Sequence, residues 1–303
     1  MAWRPDPLLE GFEALELEQP ADYDGRVVAT LVRLPASLAP HGAARGTVLY
    51  VHGFIDYFFQ RHTAERFAAE GYAFYALDTR KHGRSLLPHQ HPCFCKDIAE
   101  YFADIDAALR EIGAPVLLAG HSTGGLVCSL YAASGEERGR VRALWLNSPF
   151  FDWRARGSQR RQVAIASFLG RFFPFLNNPR AVLPAYVRSI HRNWDGEWDF
   201  DLRLKPLMGF PAYFGWVRAI CAAHARVRGG LGLGIPVLSM HSDEADIVLD
   251  WRDVARWSRA LGRDVSVLAF PGGLHDLVLS RREIRDAAFA QLFSWAERGR
   301  PQG

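Results

Sequence analysis

The sequence predicts an α/β domain with a mostly parallel central sheet and helices on both faces. Two observations predict it. Short apolar runs alternate with segments of helical periodicity, the rhythm of strands joined by crossover helices. The short runs are apolar at nearly every position, as expected of central strands covered on both sides. A chain of 303 residues, 49% hydrophobic, can bury an ample core in one large domain.

Taken in order, Leu15 to Leu34 reads as a leading antiparallel hairpin turning at Asp24-Gly25, a dipeptide suited to a tight turn. Thr47 to Val51, Tyr72 to Leu77, Pro115 to Ala119, Val141 to Leu146, Ile235 to Met240 and Val265 to Phe270 are the expected sheet strands. Between them Arg61 to Glu70, Ile98 to Ile112, Gly124 to Ser134, Trp251 to Leu261 and Glu283 to Glu297 read as helices. In the second of these, Ile98, Phe102, Ile105 and Leu109 recur at the three-and-four spacing of one buried face. From Arg154 to Pro211 the alternation stops, and the chain becomes rich in aromatics, Arg and Pro. A structureless loop of that length is rare in a compact domain. The expectation is therefore a core of residues 1–153 and 212–303 with a cap, 154–211, inserted after the strand Val141 to Leu146. After it, Ala212 to Val227 reads as a helix leading back to the sheet.

Composition removes several classes. Twenty Phe, nine Trp and nine Tyr are incompatible with disorder. The net charge of +3 gives no argument for nucleic acid or an anionic membrane surface, and the basic residues form no Arg-rich run. Four Cys make no disulfide framework. The N-terminal residues lack a secretory apolar stretch, and no apolar run approaches the roughly 20 residues of a membrane helix. A cytoplasmic globular protein is the expectation.

The strongest local signal is Gly120-His121-Ser122-Thr123-Gly124, followed by Gly125. An apolar run enters it and a helical run leaves it. A strand turning straight into a helix forces the serine into strained backbone angles and needs small neighbours. Its hydroxyl then stands at a helix N-terminus, where developing negative charge is favoured. A hydroxyl nucleophile at neutral pH needs a base, and the base an orienting carboxylate. His275, in Gly272-Gly273-Leu274-His275 after the last strand, is the best placed of the eleven histidines. The acid should follow the strand Ile235 to Met240, where Asp243, Glu244 and Asp246 are candidates. Asp246 is favoured by the Ile247-Val248-Leu249 run that follows it, with Asp243 the alternative. Two N–H donors are needed for an oxyanion. Thr123, after the nucleophile, and Phe54, in the His52-Gly53-Phe54 turn, are the expected pair. His52 and the Asp78 to Ser85 loop read as hydrogen-bonding scaffolding. A zinc site from His89, His91, Cys93 and Cys95 would be spaced unlike common ones.

Together, His52-Gly53, Asp78…His82-Gly83-Arg84-Ser85, the Ser122 pentapeptide, Asp246 and His275 resemble the α/β-hydrolase superfamily. Within it the chain is similar to the monoglyceride lipase, lysophospholipase and serine aminopeptidase group, from about residue 45 to 297 apart from the cap. The resemblance implies a serine hydrolase with Ser122, Asp246 and His275 as triad, and no metal or organic cofactor. Two departures stand out: Phe54 where a small residue is common, and an extra acidic residue in the acid loop. The leading expectation is hydrolysis of a small-molecule or lipid-like carboxylic ester with an apolar acyl chain. Phe168, Phe172, Phe173 and Phe175 of the cap are the candidates for binding it. Peptidase or amidase action, and a non-catalytic binding protein on the same fold, are the alternatives. Relatives with an Asp nucleophile are disfavoured because position 122 is Ser.

Overall fold

A computed structural model describes residues 2–35, 45–179 and 184–298. Residues 180–183 of the expected cap lie outside the described residues. The chain begins with β1 (Arg4–Pro5) and the hairpin β2 (Glu13–Asp22) and β3 (Gly25–Arg33). Then follow β4 (Gly46–Val51), α1 (Arg61–Ala69), β5 (Tyr72–Asp78), α2 (Glu100–Ile112), β6 (Val116–His121), α3 (Thr123–Ser134) and β7 (Val141–Asn147). An irregular stretch holds α4 (Ser158–Leu169), β8 (Asn177–Asn178), α5 (Pro184–Ile190) and β9 (Ala212–Tyr213). The chain returns through α6 (Phe214–Arg228), β10 (Val237–His241), α7 (Trp251–Arg259), β11 (Val265–Ala269) and α8 (Arg282–Arg298).

Nine strands form one sheet in the order β1-β2-β3-β5-β4-β6-β7-β10-β11. Strands β5, β4, β6, β7, β10 and β11 are parallel, while β1, β2 and β3 join antiparallel at one edge. The central strands are largely apolar because both of their faces are covered. Along β4, Leu49 and Val51 pack with α2, α3 and α6, whereas Val48 and Tyr50 pack with α1 and α8. Each strand thus serves two cores at once. Helix α7 begins at Asp250, whose carboxylate accepts from the Arg252 amide and caps it.

The sequence-predicted elements fall within two residues of those observed. What the sequence left undivided is the stretch between β7 and α6. Its helix α4 has no buried residue. Its residues at 159, 162, 163 and 166 nevertheless face a cavity over the ends of the parallel strands. Among the described residues no helix is long and apolar enough to cross a membrane.

Three histidines are locked neutral by packing. Burial pushes His62 and His224 down to about 4 and His82 to about 3. A depressed folded pKa means that the unfolded chain binds more protons between the two values, so stability is full above about pH 6.5 and lost as pH falls towards 4. Each of the three can cost up to about 3 kcal/mol over that window. His224 Nε2 donates to the Phe150 carbonyl at 2.9 Å, a bond that Gln can imitate. We expect His224→Gln to flatten the loss of unfolding free energy between neutral pH and about pH 4.5, measured by urea titration.

Candidate active site

Strand β6 runs into α3 through Ser122, whose φ of 51° and ψ of −117° lie outside the regions usual for a side-chain-bearing residue. Only small neighbours permit that turn. A Cβ on Gly120 would lie 2.6 Å from the Gly124 carbonyl oxygen, and one on Gly124 would lie 2.3 Å from that of His52. The glycine spacing is therefore a packing requirement between β4, β6 and α3. The turn is pinned from outside as well: the Ser122 amide donates to Asn147 O at 3.0 Å, and Ser122 O accepts from the Phe150 amide at 3.0 Å.

The hydroxyl so presented meets an imidazole. Ser122 Oγ donates to His275 Nε2 at 3.0 Å, and His275 Nδ1 donates to Asp246 Oδ2 at 2.9 Å. Asp246 is buried. Burial opposes its ionisation, but His275 and the amides of Leu249 and Val248 outweigh that and hold its pKa below the ordinary value. Its Oδ1 accepts from those two amides at 3.0 and 2.7 Å. Asp243 does not meet the imidazole. Its carboxylate accepts instead from Ala245 and Gly272 amides at 3.0 and 3.1 Å, tying the acid loop to the histidine loop. A second brace lies underneath. Asn147 Nδ2 donates to Asp276 Oδ1 at 2.6 Å, and its Oδ1 accepts from the Leu277 amide at 3.2 Å.

Phe54 and Thr123 line the same cavity as Ser122 and His275. Thr123 is the first residue of α3, where an amide has no intrahelical partner and is free for an external acceptor. His52 shapes the opposite turn. Its Nδ1 donates to Gly53 O at 2.7 Å, while its Nε2 accepts from the Thr79 amide at 3.1 Å. The Asp78 carboxylate accepts from Phe58 and Arg84, so the loop after β5 is scaffolding. His91 is engaged with Asp24 at 2.8 Å.

The cavity measures about 680 Å³. Its walls are largely apolar, with Phe54, Phe150, Trp153, Val163, Trp216 and Val217 prominent. The Phe54 and Trp216 rings stack at 3.9 Å. Asp56 and Lys205, both buried, also line it, with Nζ to Oδ1 at 2.7 Å. The aromatics expected to bind an acyl chain are elsewhere. Phe168, Phe172 and Phe173 are 65%, 59% and 61% exposed, and none of the four lines the cavity. Phe175 packs on Phe94 and His91 instead. The physical reason is helical phase: the pocket-facing positions of α4 are 159, 162, 163 and 166, and Phe168 falls on the opposite side. The residues missed are Trp216, hidden in an ordinary helical pattern, and the Asp56–Lys205 pair. Lys205 carried a signal, being one of only three lysines in an arginine-rich chain.

Sheet order and strand-to-helix turn together define an α/β-hydrolase. Comparison with known proteins places it more narrowly: the chain belongs to the serine aminopeptidase, S33, family, which it matches over residues 42–282. It is 27% identical over 248 residues to a monoacylglycerol lipase of Mycolicibacterium smegmatis, covering 78% of this chain and 84% of that one. Its fold is similar to that of a soluble variant of monoglyceride lipase from Saccharomyces cerevisiae solved with a substrate analog, with a TM-score of 0.74 at 18% identity over 94% and 97% of the two chains. The Paleococcus ferrophilus monoacylglycerol lipase gives a TM-score of 0.69 at 22% identity, over 86% of this chain and 96% of that one.

Gly124→Ala tests the packing account. Its Cβ would press on two backbone carbonyls, those of His52 and Val51, which cannot retreat as a flexible side chain would. We expect a loss of about 2 kcal/mol or more in urea unfolding, at the upper part of the overpacking range.

Proposed function

We propose that the protein hydrolyses carboxylic esters with an apolar acyl chain through an acyl-enzyme on Ser122. The observation that carries this reading is the run of hydrogen bonds from Ser122 Oγ through His275 to Asp246, opening on an apolar cavity. His275 Nε2 takes the hydroxyl proton as Oγ attacks the ester carbonyl. Asp246 holds the imidazole by Nδ1 and stabilises the imidazolium that forms. The tetrahedral oxyanion is received by the amides of Thr123 and Phe54. Collapse expels the alcohol, which takes the proton from His275. A water, deprotonated by the same nitrogen, then attacks the acyl-enzyme and releases the acid. In this reading residues 154–211 act as a cap over the cavity, with Val163 and Ala166 of α4 and Trp216 of α6 against the acyl chain. The likeness to monoacylglycerol lipases supports an ester substrate.

The family's description raises an aminopeptidase reading, and one feature weighs against it. A substrate's free amino group needs an uncompensated carboxylate in the cavity. Asp56 is the carboxylate among the described lining residues, and Lys205 already neutralises it.

Ser122→Ala should remove turnover by about 10⁴-fold or more and abolish labelling by a fluorophosphonate probe. Residual activity close to wild type would refute the assignment. Asp246→Asn should lower kcat far more than Asp243→Asn, towards the roughly 10⁴-fold cost of a wrong histidine tautomer; the reverse order would make Asp243 the acid. On a series of p-nitrophenyl esters, kcat/KM should rise about fourfold per added methylene, as expected for about 0.8 kcal/mol each, until the cavity is full. Trp216→Ala should flatten that rise while sparing the acetate ester. A flat profile in the parent, or preferred cleavage of aminoacyl anilides, would count against the ester reading.

A further inference from the structure

Next to the triad histidine lies a carboxylate to which the ester chemistry gives no role. Asp276 follows His275 in the chain and is fully buried. Its Oδ1 accepts from Asn147 Nδ2 at 2.6 Å and from the Val278 amide at 3.1 Å. Two donors on one oxygen favour the carboxylate over the acid. Its Oδ2 is buried with no hydrogen-bond partner among the described residues. His121 Nε2 stands 3.9 Å from it. His121 Nδ1 donates to the Asn147 carbonyl at 3.1 Å, which leaves Nε2 of the neutral ring a bare acceptor. Burial lowers the His121 pKa against the opposing pull of Asp276, so the ring is uncharged at neutral pH. Two acceptors thus face one another, and the charge on Oδ2 goes unanswered.

A buried carboxylate satisfied on one oxygen only is expensive and calls for a reason. No Lys or Arg among the described residues pairs with it. Tyr50 and Tyr186, which feel its charge, are held neutral by burial. His62 of α1 is pushed down to about 4, Lys205 is taken by Asp56, and Asp246 is bound to His275 Nδ1. One neighbouring group becomes a cation only during turnover. The His121 ring packs on that of His275, with centroids 4.9 Å apart, so His121 touches both Asp276 and the triad base. The imidazolium formed as Ser122 gives up its proton is the positive charge that Asp276 lacks. A fixed charge in a water-excluded site, answered only as the reaction proceeds, stabilises the transition state more than the ground state.

We propose that Asp276 is a positioning residue whose buried charge supports the imidazolium on His275, alongside Asp246. The inference rests on His275 as the general base of the reaction proposed above. Its test is phosphonylation of Ser122 by a fluorophosphonate probe, followed against pH, because that step needs the base but no ester substrate. Asp276→Asn keeps the shape of the side chain. The amide oxygen still accepts from Asn147 and Val278, and the amide nitrogen can donate to His121 Nε2, so urea unfolding should be no easier than in the parent. A nearby negative charge raises the pH at which an imidazolium gives up its proton. Removing it should therefore move the acid limb of the rate profile down by about half to one pH unit, and lower the alkaline plateau about tenfold. Asp276→Ser, uncharged but smaller, should move the limb equally, since charge rather than shape sets it. An acid limb that stays in place in both variants, whatever the plateau, would overturn the proposal and leave the triad standing. So would shifts of opposite sign in the two. A parent that takes up no probe would refute the serine nucleophile itself, and this inference with it.

Discussion

The site depends on one awkward residue. Ser122 must leave β6 with a positive φ and enter α3 within a single step, and the surrounding packing tolerates this only without side chains at 120 and 124. The backbone strain, of order 1–3 kcal/mol for such a residue, is held by neighbours that over-determine the turn. The amide and the carbonyl of Ser122 are both bonded to the chain just beyond β7 or at its end. Because β4, β6 and β7 are adjacent in the sheet, the three loops that carry Phe54, Ser122 and Asn147 emerge side by side. Strand order thus brings together residues far apart in sequence.

Electrostatics supply a second constraint. The cavity is largely apolar, and two buried charges in and beside it are paired: Lys205 has Asp56, and Asp246, behind His275, has the imidazole and two amides. Removing one member of such a buried pair typically costs about 3–5 kcal/mol, whereas replacing both can be neutral. Lys205 also sits over the rings of Tyr186, Phe59 and Phe200. It therefore binds the stretch after α5 to the loop after β4, and links the irregular region to the sheet.

Much of this was legible in the sequence, for identifiable reasons. Central strands and amphipathic helices are set by local periodicity, so their limits were readable. The Ser122 turn was readable because its steric demands are written in adjacent glycines. The carboxylates at 243 and 246 could not be separated so firmly, since both belong to one loop. Backbone amides decide between them: those of Val248 and Leu249 turn Asp246 inward, and those of Ala245 and Gly272 hold Asp243 aside. The cap phenylalanines were misread because composition reports apolar area without its direction. Trp216 was missed for the opposite reason. A tryptophan in a helix that packs on α4 resembles any core residue until the cavity beside it is seen.

Asn147 draws these threads into one knot. Its carbonyl holds the Ser122 amide, while its side-chain amide holds Asp276 and Leu277, just past His275. Ser242 adds a further tie, its hydroxyl donating to the Gly273 carbonyl. Loops with shared hydrogen bonds cannot open separately, since releasing one leaves buried partners of the other unsatisfied. Local unfolding here should be collective: the serine and histidine loops exchange between an assembled and an unravelled state as a unit. A molecule built this way spends little time with its reactive groups half-aligned.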